Sequence, residues 1–310
     1  MTLQKTIANK AVIEGNGLHT GNFCKVTLHP AQPNEGLVCI CNQKKHLLTL
    51  DVVADTTRST NVRLGNQMIY TIEHLLSAIS ALQIDNIYIE IEGNEVPILD
   101  GSAKYFVEKM LDAGIKEFTV PKKIFKVTSV IEWTDDSTNA SYTFIPADQF
   151  SVTCLIDYDS KVLGQQYARL GRWEDYATEI ASAKTFCFLH EIETLYHNGL
   201  IKGGNLTNSL VFSEHPTDPE KARWLSSVFN QPVFSIPEKG ILNPVSQTFS
   251  NEAARHKILD LIGDLALLGI SIQGKIYALK SGHTSNIRFA KYLKDNLVSY
   301  QINKESISLN

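Results

Sequence analysis

The run Arg255-His256-Lys257-Ile258-Leu259-Asp260-Leu261-Ile262-Gly263-Asp264-Leu265 carries the densest chemistry in the chain. At about 100° per residue along a helix, His256, Asp260 and Asp264 fall within a sector of roughly 80°. Ile258, Ile262 and Leu265 lie opposite and face a core. A histidine and a carboxylate at i and i+4 can turn both heads toward one ion, as paired histidines do in helical zinc motifs. The same spacing also suits a solvated polar face with an accidental His/Asp pair. Gly263 argues against that, because a mid-helix glycine costs about 1 kcal/mol relative to alanine. Its presence predicts a close approach by another part of the chain.

Two further segments add reactive groups. In Thr71-Ile72-Glu73-His74-Leu75-Leu76-Ser77-Ala78, the residues Ile72, Leu75, Leu76 and Ile79 form a core stripe at i, i+3, i+4 and i+7. His74 points away from it, onto a narrow face of Ser77, Ala78 and Ala81. Alone, such a histidine reads as structural. Its neighbour Glu73 makes a ligand reading attractive, since a carboxylate beside a ligand histidine can take a proton from metal-bound water. In Tyr277-Ala278-Leu279-Lys280-Ser281-Gly282-His283 a strand runs into a turn that ends on a histidine. A rigid base of this kind suits a group that acts on a ligand, though an ordinary loop histidine fits too. Asp264 could orient and charge that imidazole. His74, His256 and Asp260 as ligands, an open fourth position, a base and an acid make up a catalytic zinc site; a closed structural one leaves no room for water.

The elements that must position these groups are legible in outline. The 310 residues suffice for two ordinary domains. The first third reads as β-rich, with alternating segments near 5–14, 23–29, 36–41 and 46–53. A helix at Ile72–Leu82, a strand at Ile87–Glu92 and a helix at Ala103–Ala113 follow. Pro121-Lys122-Lys123 reads as a linker. Strands near 124–132, 141–145 and 151–156, helices near 184–197 and 252–269, strands across 271–279 and a helix near 286–296 then repeat the order on a larger scale. Strand runs followed by helices, without strict βαβ alternation, imply α+β layers in each half. Ser213 to Asn251 is polar and aperiodic, and reads as a surface excursion.

Bulk properties narrow the function. The net charge is −4 with basic residues scattered, so a nucleic-acid groove, which needs a basic stripe, is not expected. No apolar run reaches the roughly 20 residues that span a bilayer, and no signal-peptide core follows Met1. Five cysteines, an odd number, point to reduced thiols and a cytoplasmic protein rather than a disulfide framework. Cys39 and Cys41 alternate along a strand and share a face, where packing is the expected role.

With these segments assembled, the chain closely resembles the UDP-3-O-acyl-N-acetylglucosamine deacetylases, zinc amidases of lipid A synthesis. The resemblance runs through Gly15-Asn16-Gly17-Leu18-His19-Thr20-Gly21, Thr71-Ile72-Glu73-His74, Leu82-Gln83-Ile84-Asp85-Asn86 and Pro97-Ile98-Leu99-Asp100-Gly101-Ser102. It continues through Lys184-Thr185-Phe186, Gly203-Gly204, the His256–Asp264 run and Lys280-Ser281-Gly282-His283. It implies two similar α/β layered domains, 1–120 and 121–310, with helices sandwiched between sheets and the active site at their junction.

Carried over residue by residue, the resemblance makes His74, His256 and Asp260 the metal ligands and Glu73 the general base. His283 matches the protonated partner of the leaving amine, and Asp264 the carboxylate beside it. Thr185 matches the group that polarises the amide oxygen. Lys257, Lys280 and Phe186 match substrate-contacting positions. Gly204 lies in an insert, about 198–212, that passes the acyl chain. The implied cofactor is zinc, although iron(II) suits a His₂Asp site as well. The implied partner is a UDP-linked acylated amino sugar, handled by a monomer. After His283 the family pattern is altered at Thr284-Ser285-Asn286. Two alternatives remain open: a zinc amidohydrolase acting on a different N-acylated amine or sugar, and a metal-binding protein without catalysis. The remaining histidines, His19 among them, lack ligand spacing and read as structural or solvated.

Overall fold

The computed structural model describes residues 2–215, 219–229, 239–242 and 247–307, with side chains followed to residue 296. Two five-stranded sheets dominate it. The first has the spatial order Ala11–Asn16, Phe23–Pro30, Ile87–Glu92, Leu37–Cys41, Lys44–Leu47. The second runs Ile131–Asp135, Ala140–Ile145, Lys275–Leu279, Ser151–Asp157, Gln165–Leu170. In each, the strand made last sits at the centre, antiparallel to one neighbour and parallel to the other. The two halves therefore share one topology, as the repeated order of elements predicts. Period-two alternation supplies their inner faces: Cys24, Val26 and Leu28 in one sheet, Val152, Cys154 and Ile156 in the other, are all buried. Cys39 and Cys41 share the buried face expected of them, and all five cysteines are free.

The helices are α1 (Glu73–Ala81), α2 (Lys104–Asp112), α3 (Tyr176–Glu179), α4 (Leu189–His197), α5 (Pro219–Val228), α6 (Glu252–Ala266) and α7 (His283–Ile307). In each half a buried helix, α1 or α6, precedes the returning central strand. The two pack against each other, and α6 also lies on Ser151–Asp157 and Gln165–Leu170. One continuous apolar core takes in both helices and the inner faces of both sheets. In α1 every residue but Ser80 is buried, so it has no solvated face at all. Gly263 explains how the helices come so close: a Cβ there would lie 2.1 Å from the backbone oxygen of Glu73.

Each half also carries an insert between its fourth strand and its buried helix. The first is the small sheet Val53–Asp55, Asn61–Leu64, Gln67–Ile69; the second is Phe186–Phe188, Leu210–Ser213, Gly240–Ile241 with α4 and α5. The second has its own small core of Leu189, Ile192, Val211, Leu225 and Phe229.

Several sequence expectations need correction. The expected helix at 184–197 begins as the strand Phe186–Phe188 and becomes helical only at Leu189; Phe-Cys-Phe prefers the pleated, half-buried state. The 46–53 strand is broken by a turn of 3₁₀ helix at Leu50–Val52. Within the expected linker Pro121-Lys122-Lys123, only Lys122 is buried. Pro121 ends a strand paired with Leu3–Ile7, and the Lys122 ammonium is buried 3.1 Å from Asp85. The 213–251 excursion contains α5 and a short strand at Gly240–Ile241; residues 216–218, 230–238 and 243–246 of it lie outside those described. The last helix starts at His283, three residues earlier than expected.

Candidate metal centre and catalytic site

The α1–α6 contact brings His74 from one half to His256 and Asp260 from the other. One ligand atom from each lies within 4.8 Å of the other two. All three are buried, which disposes of the solvated-face reading of the His256/Asp260 pair. The i, i+4 spacing does what helix geometry requires, placing His256 Nε2 3.2 Å from Asp260 Oδ1. His74 Nε2 approaches the same oxygen at 3.9 Å.

Protonation suits a cation. Burial first, then the nearby His256, lowers the His74 pKa to about 3, so its imidazole is neutral. Burial opposes charge on Asp260, but His256, Lys257 and His283 outweigh it and hold the carboxyl well below its ordinary range. The His256 Nδ1 lies 3.0 Å from the Ala183 carbonyl oxygen. That acceptor fixes the proton on Nδ1 and turns the Nε2 lone pair toward the cluster. Asp260 Oδ1 and His74 Nδ1 are buried without a hydrogen-bond partner. Buried polar atoms are rarely left so, and the acceptor of an anionic donor set is where a divalent cation fits. The residues present therefore fit a metal.

Around this triad lies a cavity of about 160 Å³. Glu73, Thr185, Phe186, Lys257 and His283 line it along with the three candidate ligands. Glu73 lies under desolvation pressure that pushes its pKa up to about 8, with Asp264 and Asp260 adding to it and His283 opposing. Its Oε2 accepts the Thr60 N–H at 3.0 Å, and its Oε1 lies 3.9 Å from His283 Nε2. Burial disfavours a charged His283, but Asp264, 3.0 Å from Nδ1, and then Asp260 overcome it and raise the pKa to about 9. Glu73 and His283 thus face each other in the cavity, each held from behind.

Lys257 is partly spent on the triad. Its Nζ donates to Asp260 Oδ2 at 2.7 Å and sits 5.4 Å above the Phe186 ring. Burial works against its charge, yet Asp260 more than offsets this and holds its pKa above the usual lysine range. Lys280 stands outside the cavity lining, paired with Asp157 at 2.9 Å. Gly204 also stands outside it, packed beside Leu18, which does line it.

The sequence reading missed several contributors. Thr60 binds Glu73 through its amide and Asp264 through its hydroxyl, and lies 3.3 Å from His283 Nδ1. Asn286, in the altered stretch after His283, donates to Asp264 Oδ2 at 2.8 Å. Neither has a sequence signal, because their roles arise from contacts between residues far apart in the chain. Arg58 and Glu191 face each other across the cavity rim at 2.8 Å, joining the two inserts. His19, set aside in the sequence, is buried with both ring nitrogens unpartnered and feels the charges of Arg58 and His283. Burial pushes the Cys187 thiol on the cavity wall up to about 12, so it is no nucleophile.

Comparisons with known proteins agree with this geometry. The family model for UDP-3-O-acyl N-acetylglycosamine deacetylase matches residues 4–229 and 226–295. The bifunctional enzyme LpxC/FabZ of Bacteroides thetaiotaomicron is 38% identical, covering 100% of this chain and 68% of its own length. That of Chlorobaculum tepidum is 37% identical, covering 94% of this chain and 64% of its own. The UDP-3-O-acyl-N-acetylglucosamine deacetylase of Myxococcus xanthus is 33% identical across 96% of this chain and 88% of its own length. The chain thus spans about two thirds of the bifunctional proteins and most of the Myxococcus one. With the match continuous through both halves that build the cavity, the chain belongs to the UDP-3-O-acyl N-acetylglycosamine deacetylase family.

Proposed function

We propose that this chain removes acetate from UDP-3-O-(3-hydroxyacyl)-N-acetylglucosamine in lipid A biosynthesis, with one zinc ion held by His74, His256 and Asp260. The observation that carries the reading is the buried triad, which joins two halves of the chain and leaves Asp260 Oδ1 without a partner. A divalent metal there supplies Lewis-acid polarisation of the acetamide and acidifies water.

The protein side chains do the rest. Glu73 takes the proton of the attacking water. Thr185, on the cavity wall, donates to the oxygen on which charge develops. His283, kept protonated by Asp264, gives its proton to the departing glucosamine nitrogen. Thr60 and Asn286 hold Glu73 and Asp264 in place. Lys257 and Phe186 present a cation and an aromatic face to the UDP-sugar, and Lys280 adds a cation outside the cavity. The 198–212 insert accepts the acyl chain beside Gly204.

This reading treats 1–120 and 121–310 as two domains and the enzyme as a cytoplasmic monomer. The repeated strand order and the free thiols support it, and no helix among the described residues is long and apolar enough to cross a membrane. Iron(II) suits the same donors, so metal identity is decided by elemental analysis of the purified chain. Acetate release from the UDP-linked substrate, abolished by a chelator and restored by zinc, tests the activity. Release from other N-acylated sugars at equal rate would turn the assignment to a broader amidohydrolase.

A further inference from the structure

Glu95 is wholly buried, and no lysine or arginine pairs with it among the described residues. Four donors converge on it instead. Oε1 accepts the His19 amide at 2.9 Å and the Thr71 hydroxyl at 3.0 Å. Oε2 accepts the Thr20 amide at 2.8 Å and the Thr20 hydroxyl at 2.6 Å. A buried carboxylate is costly unless its acceptor positions are filled, and here they are filled by two separate parts of the chain.

One arm leads to the chemistry. Thr71 has φ +58, a left-handed backbone that a β-branched residue adopts only under outside constraint. Its hydroxyl bond to Glu95 and its amide bond to Asn61 Oδ1 supply that constraint. Two residues later come Glu73 and then His74.

The other arm leads to the acyl-side insert. Gly17 has no room for a side chain, because a Cβ there would lie 2.1 Å from Glu95 Oε2. The loop from Gly17 to Gly21, clamped on Glu95, offers its carbonyls to the second half of the molecule. The Lys202 amide donates to His19 O at 3.3 Å and the Gly203 amide to Leu18 O at 3.0 Å. Gly203 in turn presses on Gly17, since a Cβ there would lie 2.1 Å from Gly17 O.

We propose that Glu95 is a positioning residue that fixes two things at once: the start of α1 that bears Glu73, and the 201–204 segment of the acyl-side insert, which packs behind Leu18 of the cavity lining. It touches no reacting atom. The proposal rests on the reading of Glu73 and His74 as base and ligand.

The test compares Glu95→Gln, Thr71→Val and Thr20→Val in the full chain. Thr71→Val cuts the first arm, and is expected to lower kcat about tenfold and weaken zinc binding. Thr20→Val weakens the second arm by removing its one side-chain bond, and is expected to raise KM for long-acyl substrates by about tenfold. Glu95→Gln puts an amide against donors and disturbs both arms, lowering kcat/KM about 10²-fold. A purely structural Glu95 gives a different result: folded, metal-loaded Glu95→Gln keeps wild-type kcat and KM while only its Tm falls. That result overturns the proposal, as does a shift of the same parameter in both threonine variants. Zinc affinity and hydrogen exchange at the Lys202 and Gly203 amides need no substrate. If they shift in Glu95→Gln while wild type fails to release acetate, the functional reading falls and the role of Glu95 stands. If neither shifts, the role of Glu95 falls.

Discussion

Gly263 of α6 rests directly on the main-chain carbonyl of Glu73 in α1, where a Cβ would be held 2.1 Å from that oxygen. This contact sets the spacing between the helix that bears His74 and the one that bears His256 and Asp260. In an exposed helix, glycine to alanine stabilises by about 1 kcal/mol. Here the sign reverses. Gly263→Ala must separate two packed helices, an overpacking that costs about 1–3 kcal/mol. Denaturant midpoints should show that loss, and metal content should fall with it. A more stable Gly263→Ala protein would mean that the helices are not locked together at this point.

In the proposed site a metal would join the two halves, and so would act on folding as well as on chemistry. Metal at a thousandfold excess over Kd adds about 4 kcal/mol to a native state that alone binds it. Thermal scans of wild type with and without zinc should show that gain. In His74→Ala and Asp260→Ala both the gain and the bound metal should vanish. Retention of near one metal per chain in both variants would remove these residues from the ligand set.

The pH profile follows from two shifted groups. In the proposed mechanism His283, raised to about 9 by Asp264 against burial, must be protonated to donate. The basic limb therefore falls as pH rises through about 9. Glu73, pushed up by burial to about 8, must be deprotonated to accept. A bound cation beside it pulls it down, so the acidic limb lies below 8. Glu73→Ala should erase the acidic limb and His283→Ala the basic one, each with a loss of about 10²-fold or more in kcat. Asp264→Asn should move the basic limb to lower pH. A basic limb unmoved in that variant would locate the acid elsewhere.

Gly204 acts on the acyl side at one remove. A Cβ there meets Ile201 O at 3.1 Å and Leu18 Cδ1 at 3.6 Å, and Leu18 lines the cavity. Leucine at 204 must push Leu18 inward. With each buried methylene worth about 0.8 kcal/mol, losing contact with two carbons costs over tenfold. Gly204→Leu should therefore lower kcat/KM for long 3-hydroxyacyl substrates while sparing short-chain analogues. Equal losses across an acyl-length series would show that 204 does not bear on chain length.

The sequence makes visible whatever depends on local spacing. His256 and Asp260 are one helical turn apart, so their meeting is written in the numbers, and the glycine between them and Asp264 announces the neighbouring helix. The core stripe Ile72, Leu75, Leu76 and Ile79 is buried as its period requires. The burial of α1 on the Ser77 side is not visible in the sequence, because a serine shows no partner until Tyr176 is found 2.7 Å from its hydroxyl. Lys122 misleads for the same reason: its partner Asp85 is remote from it in the chain. Thr60, Asn286 and Glu95 act only through residues distant in sequence. No periodicity encodes such contacts.

The order of strands has a consequence for how the protein comes into being. Each sheet closes when its central strand arrives, and that strand is the last of its five to be made. The first sheet is complete in sequence at Glu92, the second only at Leu279. At bacterial or eukaryotic ribosome speeds of about 5–20 residues per second, roughly 10–40 s separate the two. During most of that interval His74 has no His256 or Asp260 to meet. A nascent chain halted before Lys275 has His256 and Asp260 translated and yet lacks the strand Lys275–Leu279. The site is thus completed only once Lys275–Leu279 has been made, and a ribosome stalled inside 252–275 should display protease-sensitive hairpins of the second half.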